Sequence, residues 1–206
     1  MRRNRMKILG LTGGVGAGKS TVLEYLSKRY HARVIQADQA AHLLMEPGQV
    51  CYYKVVEAFG SGILNGDQTI CRSKLSAVVF RDLENLSRLN SMVHPAVKTY
   101  IIQEIEKERA AGNVPFLVIE AALLIEDHYD VICDELWYLH ADREVRKKRL
   151  MASRGYSEEK VADIMKNQLS EEKFLEHCQF VVDNSSDFIE NTYEQIDRGL
   201  VEHGFL

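Results

Sequence analysis

Apolar residues along this chain follow two rhythms. Short, nearly continuous runs read as buried strands: Lys7–Thr12, Val34–Ile35, Phe116–Ile119, Glu135–His140 and Phe180–Val182. Between them lie longer stretches with apolar residues three and four apart. Lys19–Tyr30 puts Val22, Leu23, Leu26 and Tyr30 on one face of a helix. Helices are likewise expected over Gln39–Met45, Gln49–Phe59, Ser73–Val93, Pro95–Ala111, Arg143–Gln168 (interrupted near Gly155) and Phe188–Val201. Pro47-Gly48 marks a turn, and Asn65-Gly66 within Ile63–Ile70 a small hairpin or loop. His94-Pro95 is expected to break the chain, with Pro95 heading the next helix. Strands separated by helices imply a parallel sheet with helices on both faces.

The strongest chemical signal sits between the first strand and the first helix. Gly13-Gly14-Val15-Gly16-Ala17-Gly18-Lys19-Ser20 matches G-x-x-x-x-G-K-[ST] in full. Glycines let backbone N–H groups converge on phosphate oxygens without Cβ clashes. The helix that opens there adds its positive N-terminal end. Lys19 is placed to reach the β- and γ-phosphates of a nucleotide, Ser20 to offer a hydroxyl to Mg²⁺, and Thr21 to touch the α-phosphate. A strand before the loop and a helix after it are the context this motif requires.

Other residues carry two readings each. Asp38 follows the second strand, where it either accepts a proton from an attacking hydroxyl or caps the helix Gln39–Met45. Glu120 ends the third strand and reads either as a support for hydrated Mg²⁺ or as an ordinary strand-end charge. Arg143, Arg146, Lys147, Lys148, Arg149 and Arg154 form the densest basic cluster. It is either a solvated helix face paired with nearby acids, or a mobile lid that brings arginines to a transferring phosphate and excludes water.

Composition narrows the class. The chain has 206 residues, 46% hydrophobic and 27% charged, which fits one globular α/β domain with insertions. A net charge of −4 leaves no footprint for nonspecific nucleic-acid binding. Cys51, Cys71, Cys133 and Cys178 lack metal-site spacing and read as reduced thiols in a cytoplasmic protein. The basic start Met1–Arg5 is not followed by a secretory h-region, and no apolar stretch approaches the length of a membrane span. Met6 is a second candidate start. Nothing in the pattern sets an oligomeric state.

With these residues in hand, the chain resembles bacterial dephospho-coenzyme A kinase over nearly its whole length. The resemblance is carried by Leu11–Thr21, by Val34-Ile35-Gln36-Ala37-Asp38 with Ala41, and by Pro47-Gly48 and Phe59-Gly60. Arg72, Leu75 and Phe80, then Leu89-Asn90 with Val93-His94-Pro95, continue it. So do Leu123–Glu126, Arg149-Leu150-Met151, Gly155-Tyr156-Ser157, Gln168, Lys173 and Val182-Asp183-Asn184. Three positions depart from the family pattern. Gln36 stands where an Asp is usual, Ala122 where a Pro precedes Leu123-Leu124, and Ser153-Arg154 where the order is Arg-Asp.

The resemblance implies ATP-dependent phosphorylation of the ribose 3′-hydroxyl of dephospho-coenzyme A, with Mg²⁺, and neither nucleic acid nor membrane as partner. It implies a five-stranded parallel P-loop core (about 6–40, 113–142 and 179–206), a helical substrate-binding region (about 41–95) and a lid (about 143–175). Lys19, Asp38 and Arg149 would be catalytic, and Gly14 to Thr21 would hold ATP with Asn184 near its base. Ser20 and Glu120 would serve the metal. Arg72, His94, Leu123 and Glu126 would join Asp38 around the acceptor. Two alternatives stay open: another small-molecule or nucleoside monophosphate kinase, and a nucleotide-binding protein without turnover.

Overall fold

The computed structural model describes residues 5–206. The start at Met1 lies outside the described residues. In chain order the elements are β1 (Lys7–Thr12), α1 (Lys19–Tyr30), β2 (Arg33–Gln36), α2 (Ala37–Leu44), α3 (Val50–Phe59), α4 (Arg72–Val79) and α5 (Leu83–Ala111). There follow β3 (Phe116–Glu120), β4 (Glu135–His140), α6 (Arg143–Arg154), α7 (Glu158–Lys166), α8 (Glu171–His177), β5 (Phe180–Asp183) and α9 (Ile189–Glu202). They divide into two compact units. One is the chain up to Ile35 together with Glu108–Leu206, and the other is Gln36–Lys107.

The first unit is built on a five-stranded parallel sheet of order β2-β3-β1-β4-β5. β1 is central, pairing Leu11 with Glu120 on one side and with Trp137 on the other. Side chains alternate across a strand, so one parity of the sheet builds one core. Leu9, Leu11, Phe116, Val118, Trp137, Leu139 and Val182 pack with Val22, Leu23 and Leu26 of α1 and with Ile196 and Leu200 of α9. Tyr25 and Tyr30 both donate to Asp197 at 2.7 Å, tying α1 to α9. On the opposite parity, Tyr138 stacks on Phe174 of α8 at 4.6 Å.

The helical region expected over 143–168 is interrupted at Gly155 as read, and a further helix, α8, follows it. Gly155, at φ 62°, ends α6, and Ser157 and Ser170 then cap α7 and α8 by accepting from Lys160 N and Lys173 N.

In the second unit, Leu64 bridges Ile70, with Asn65 N donating to Thr69 O at 2.8 Å, so the Asn-Gly segment is a tight antiparallel turn. The break expected at His94-Pro95 is absent. α5 runs through Pro95, and Val93, Val97, Ile101 and Ile105 form one buried stripe across it. An interior proline costs about 3 kcal/mol, and four buried aliphatic side chains at about 1.5–3 kcal/mol each outweigh it. The cap reading of Asp38 also fails. α2 opens at Ala37 with Gln36 at the cap position, which leaves Asp38 inside the first turn. Among the described residues, no helix is long and apolar enough to cross a membrane.

Candidate active site

The loop leaves the carboxyl end of central β1, where ligands of open α/β sheets bind. Gly18 stands at the N-cap of α1 in the left-handed region, φ 97°. A Cβ there would overlap the Asn184 amide, so only glycine satisfies both the turn and the close approach.

Three loop carbonyls are held by side chains from three places. Lys19 Nζ donates to Gly13 O at 2.8 Å. Arg146 Nε on α6 donates to Val15 O at 3.0 Å. Asn184 Nδ2, after β5, donates to Ala17 O at 2.7 Å, and Arg149 Nη1 approaches the same carbonyl at 3.5 Å. A trans peptide sets its C=O and the following N–H in opposite directions. Fixing Val15 O and Ala17 O therefore turns the N–H groups of Gly16 and Gly18 away from those side chains. Among the described residues, the N–H groups of Gly16, Gly18 and Ser20 have no protein acceptor. A phosphate finds these donors already aimed, at the N-terminus of a helix, and the residues therefore fit a nucleotide's phosphates. Thr12 is buried beside the loop, and among the described residues its hydroxyl has no hydrogen-bond partner.

Lys19 Nζ also lies 3.7 Å from Glu120 Oε1, both side chains being largely buried. Ser20 and Thr21 are exposed on the first turn of α1. Leu123 and Glu126 are exposed on the turn after β3, while Leu124 and Ile125 between them are buried. The loop residues, Glu120, Arg149 and Asn184 thus come together in the first unit. Asn184 is itself buried, donating to Ala17 O and accepting from Thr192 at 2.8 Å, so its amide braces the loop.

In the second unit Asp38 and Arg72 are exposed and His94 is half-buried on α5. His42, one turn beyond Asp38, joins them. Burial, then the charge of Arg72, hold its pKa below the usual value, with Asp38 and Glu46 opposing. An apolar cavity of about 260 Å³ is lined by Met45, Ile70, Leu75, Val79 and Leu89, with Arg72 and His42 also in its wall.

The basic cluster separates into distinct roles. Arg146, Arg149 and Leu150, spaced three and four apart, share one face of α6. Lys147 pairs with Glu158 at 3.0 Å, and Arg154 lies over the Tyr156 ring. Sequence reasoning named Arg146 only within the basic cluster, with no role of its own, and passed over His42. The helical spacing from Asp38 was the signal for His42. Among the described residues, no cluster of three or more His, Cys, Asp or Glu side chains is placed to hold a metal.

The family model described as Dephospho-CoA kinase matches residues 7–190. A dephospho-CoA kinase of Carboxydothermus hydrogenoformans is 38% identical over 93% of this chain and 91% of its own. One from Geobacter sulfurreducens is 37% identical over 96% of each chain. A solved protein of Thermus thermophilus superposes with a TM-score of 0.80 at 27% identity, covering 97% of this chain and 98% of that one. A shikimate kinase of Bacteroides thetaiotaomicron shares the fold alone, at 13% identity and a TM-score of 0.52 over 97% of this chain and 99% of its own. The nucleotide-type loop, the parallel sheet and the match over most of the sequence agree: the chain belongs to the dephospho-CoA kinase family.

Proposed function

We propose that this chain transfers the terminal phosphoryl group of ATP to the ribose 3′-hydroxyl of dephospho-coenzyme A, giving coenzyme A and ADP in the cytoplasm. The observation that carries the reading is the loop: outward-held carbonyls, inward-turned N–H groups and Lys19, in a chain of this family. ATP supplies the phosphoryl group, and Mg²⁺ offsets the charge on its phosphates. Lys19 and the loop amides bind and orient those phosphates, and Ser20 offers its hydroxyl to the cation with Glu120 near it. Asp38, not used as a cap, accepts the proton of the attacking 3′-hydroxyl. Arg72 and His94 hold the acceptor's anionic part, and the apolar cavity beside Arg72 suits its apolar arm. Leu123 and Glu126 line the acceptor's path. α6 to α8 act as a lid, with Arg149 stabilising charge on the moving group and excluding water.

The test is incubation with ATP, Mg²⁺ and dephospho-coenzyme A beside a panel of nucleoside monophosphates, with products read by mass. Coenzyme A as the dominant product supports the reading. Transfer to the monophosphates alone, or nucleotide binding with no transfer, overturns it in favour of a different kinase or a non-catalytic binder.

A further inference from the structure

Arg146 is held by neutral groups only. Its Nε donates to Val15 O at 3.0 Å and its Nη2 to the side-chain oxygen of Gln168, which follows α7. Its guanidinium lies against Gly14 so closely that a Cβ there would overlap it. The residue is half-buried, and that burial pushes its pKa down. The ionisable groups acting on it are Tyr138 and Arg143, and among the described residues no carboxylate pairs with it. A desolvated cation without a counter-ion is unfavourable. Two neutral acceptors take two of its five N–H groups and leave its charge uncompensated, at the lip of a loop shaped for phosphate.

We propose that Arg146 is a positioning residue for the nucleotide's phosphates. It fixes the Val15–Gly16 peptide so that the Gly16 N–H faces the anion, and its uncompensated charge adds to the field that the anion meets. Gln168 holds the guanidinium in place because it accepts a hydrogen bond without neutralising it. A carboxylate at that position would bind Arg146 more tightly and cancel the field. The proposal rests on the reading of Gly13–Ser20 as a nucleotide-phosphate loop and is independent of which acceptor is phosphorylated.

The discriminating substitution is Gln168→Glu, compared with Gln168→Leu. If Arg146 merely clips the segment after α7 to the loop, Gln168→Glu strengthens the clip: thermal stability rises and ATP binding is unchanged. On the proposal, stability holds or rises while the Kd for ATP increases by about tenfold. Gln168→Leu, which leaves the charge free, stays within about threefold of wild type. Arg146→Lys keeps charge but loses the fork and falls between wild type and Arg146→Gln. Binding is measured by calorimetric titration with ATP, with thermal unfolding of each variant beside it. Wild-type ATP affinity in folded Gln168→Glu overturns the proposal. Failure of acceptor phosphorylation would overturn the proposed function and leave this binding result intact.

Discussion

Lys19 Nζ lies 3.7 Å from Glu120 Oε1 in a largely buried pair, so the loop lysine is bound to the neighbouring strand as well as to its own loop. Lys19→Ala therefore does two things. It removes a preorganised charge from the phosphate site, lowering turnover by about 10²–10³ or more. It also removes one cation from beside a largely buried carboxylate, costing up to about 3 kcal/mol. Adding Glu120→Gln should recover much of the melting temperature and none of the turnover. Thermal unfolding and steady-state kinetics of both variants check this, and Lys19→Ala with more than half of wild-type turnover refutes the role.

Asn184 braces the loop from the far end of the chain. Asn184→Ala leaves Ala17 O and the Thr192 hydroxyl without that partner, costing about 1–3 kcal/mol and raising KM for ATP. Asn184→Asp turns an acceptor against the Ala17 carbonyl and should weaken ATP binding more than Ala does. Equal ATP affinity in both variants would mean the carbonyl needs no brace.

Asp38 can be tested without a folding artefact. It is not the cap of α2 and its side chain is exposed. Asp38→Asn should shift stability by less than about 0.5 kcal/mol while turnover falls by about 10²-fold or more. Normal turnover in the folded variant moves the proton acceptor elsewhere.

On α6 the expected effects follow the contacts. Arg149→Lys keeps charge but loses a planar fork, and the loss should appear in kcat. Neutralising Lys147 and Lys148 together should leave turnover within a few-fold, since one pairs with Glu158 and the other is exposed. Arg154→Ala should be mild, because its side chain rests on Tyr156. Equal, mild losses in all three sets would make the helix a solvated face and end the lid assignment.

The elements legible in the sequence were those set by local chemistry. A strand, a glycine loop and a helix adjoin directly, and β1 and α1 fall at the residues expected. Pro95 misled because its break is a local penalty, whereas the stripe Val93, Val97, Ile101 and Ile105 is a tertiary gain. α8 has seven residues, too few for a helical period to stand out, though Ser170 before Glu171-Glu172 was a usable cap signal. Arg146 stood in the basic cluster and Asn184 among the expected ATP contacts, but their hydrogen bonds to the loop carbonyls were not foreseen, for another reason. Which basic residue of α6 meets the loop depends on how the helix is rotated on the sheet, and no local pattern records that rotation.

The loop that names the chemistry lies near residue 18, and the side chains that shape it come from residues 146, 184 and 192. On a ribosome the motif is made early and its supports arrive almost last. A nascent chain that has not yet released Asn184 and Thr192 holds the glycines without their brace. Nucleotide should then give little help to a partly made chain and most of its stabilisation to the finished one. Contacts of such long sequence separation also form slowly. ATP should protect the full chain from proteolysis far better than it protects stalled fragments ending before β5.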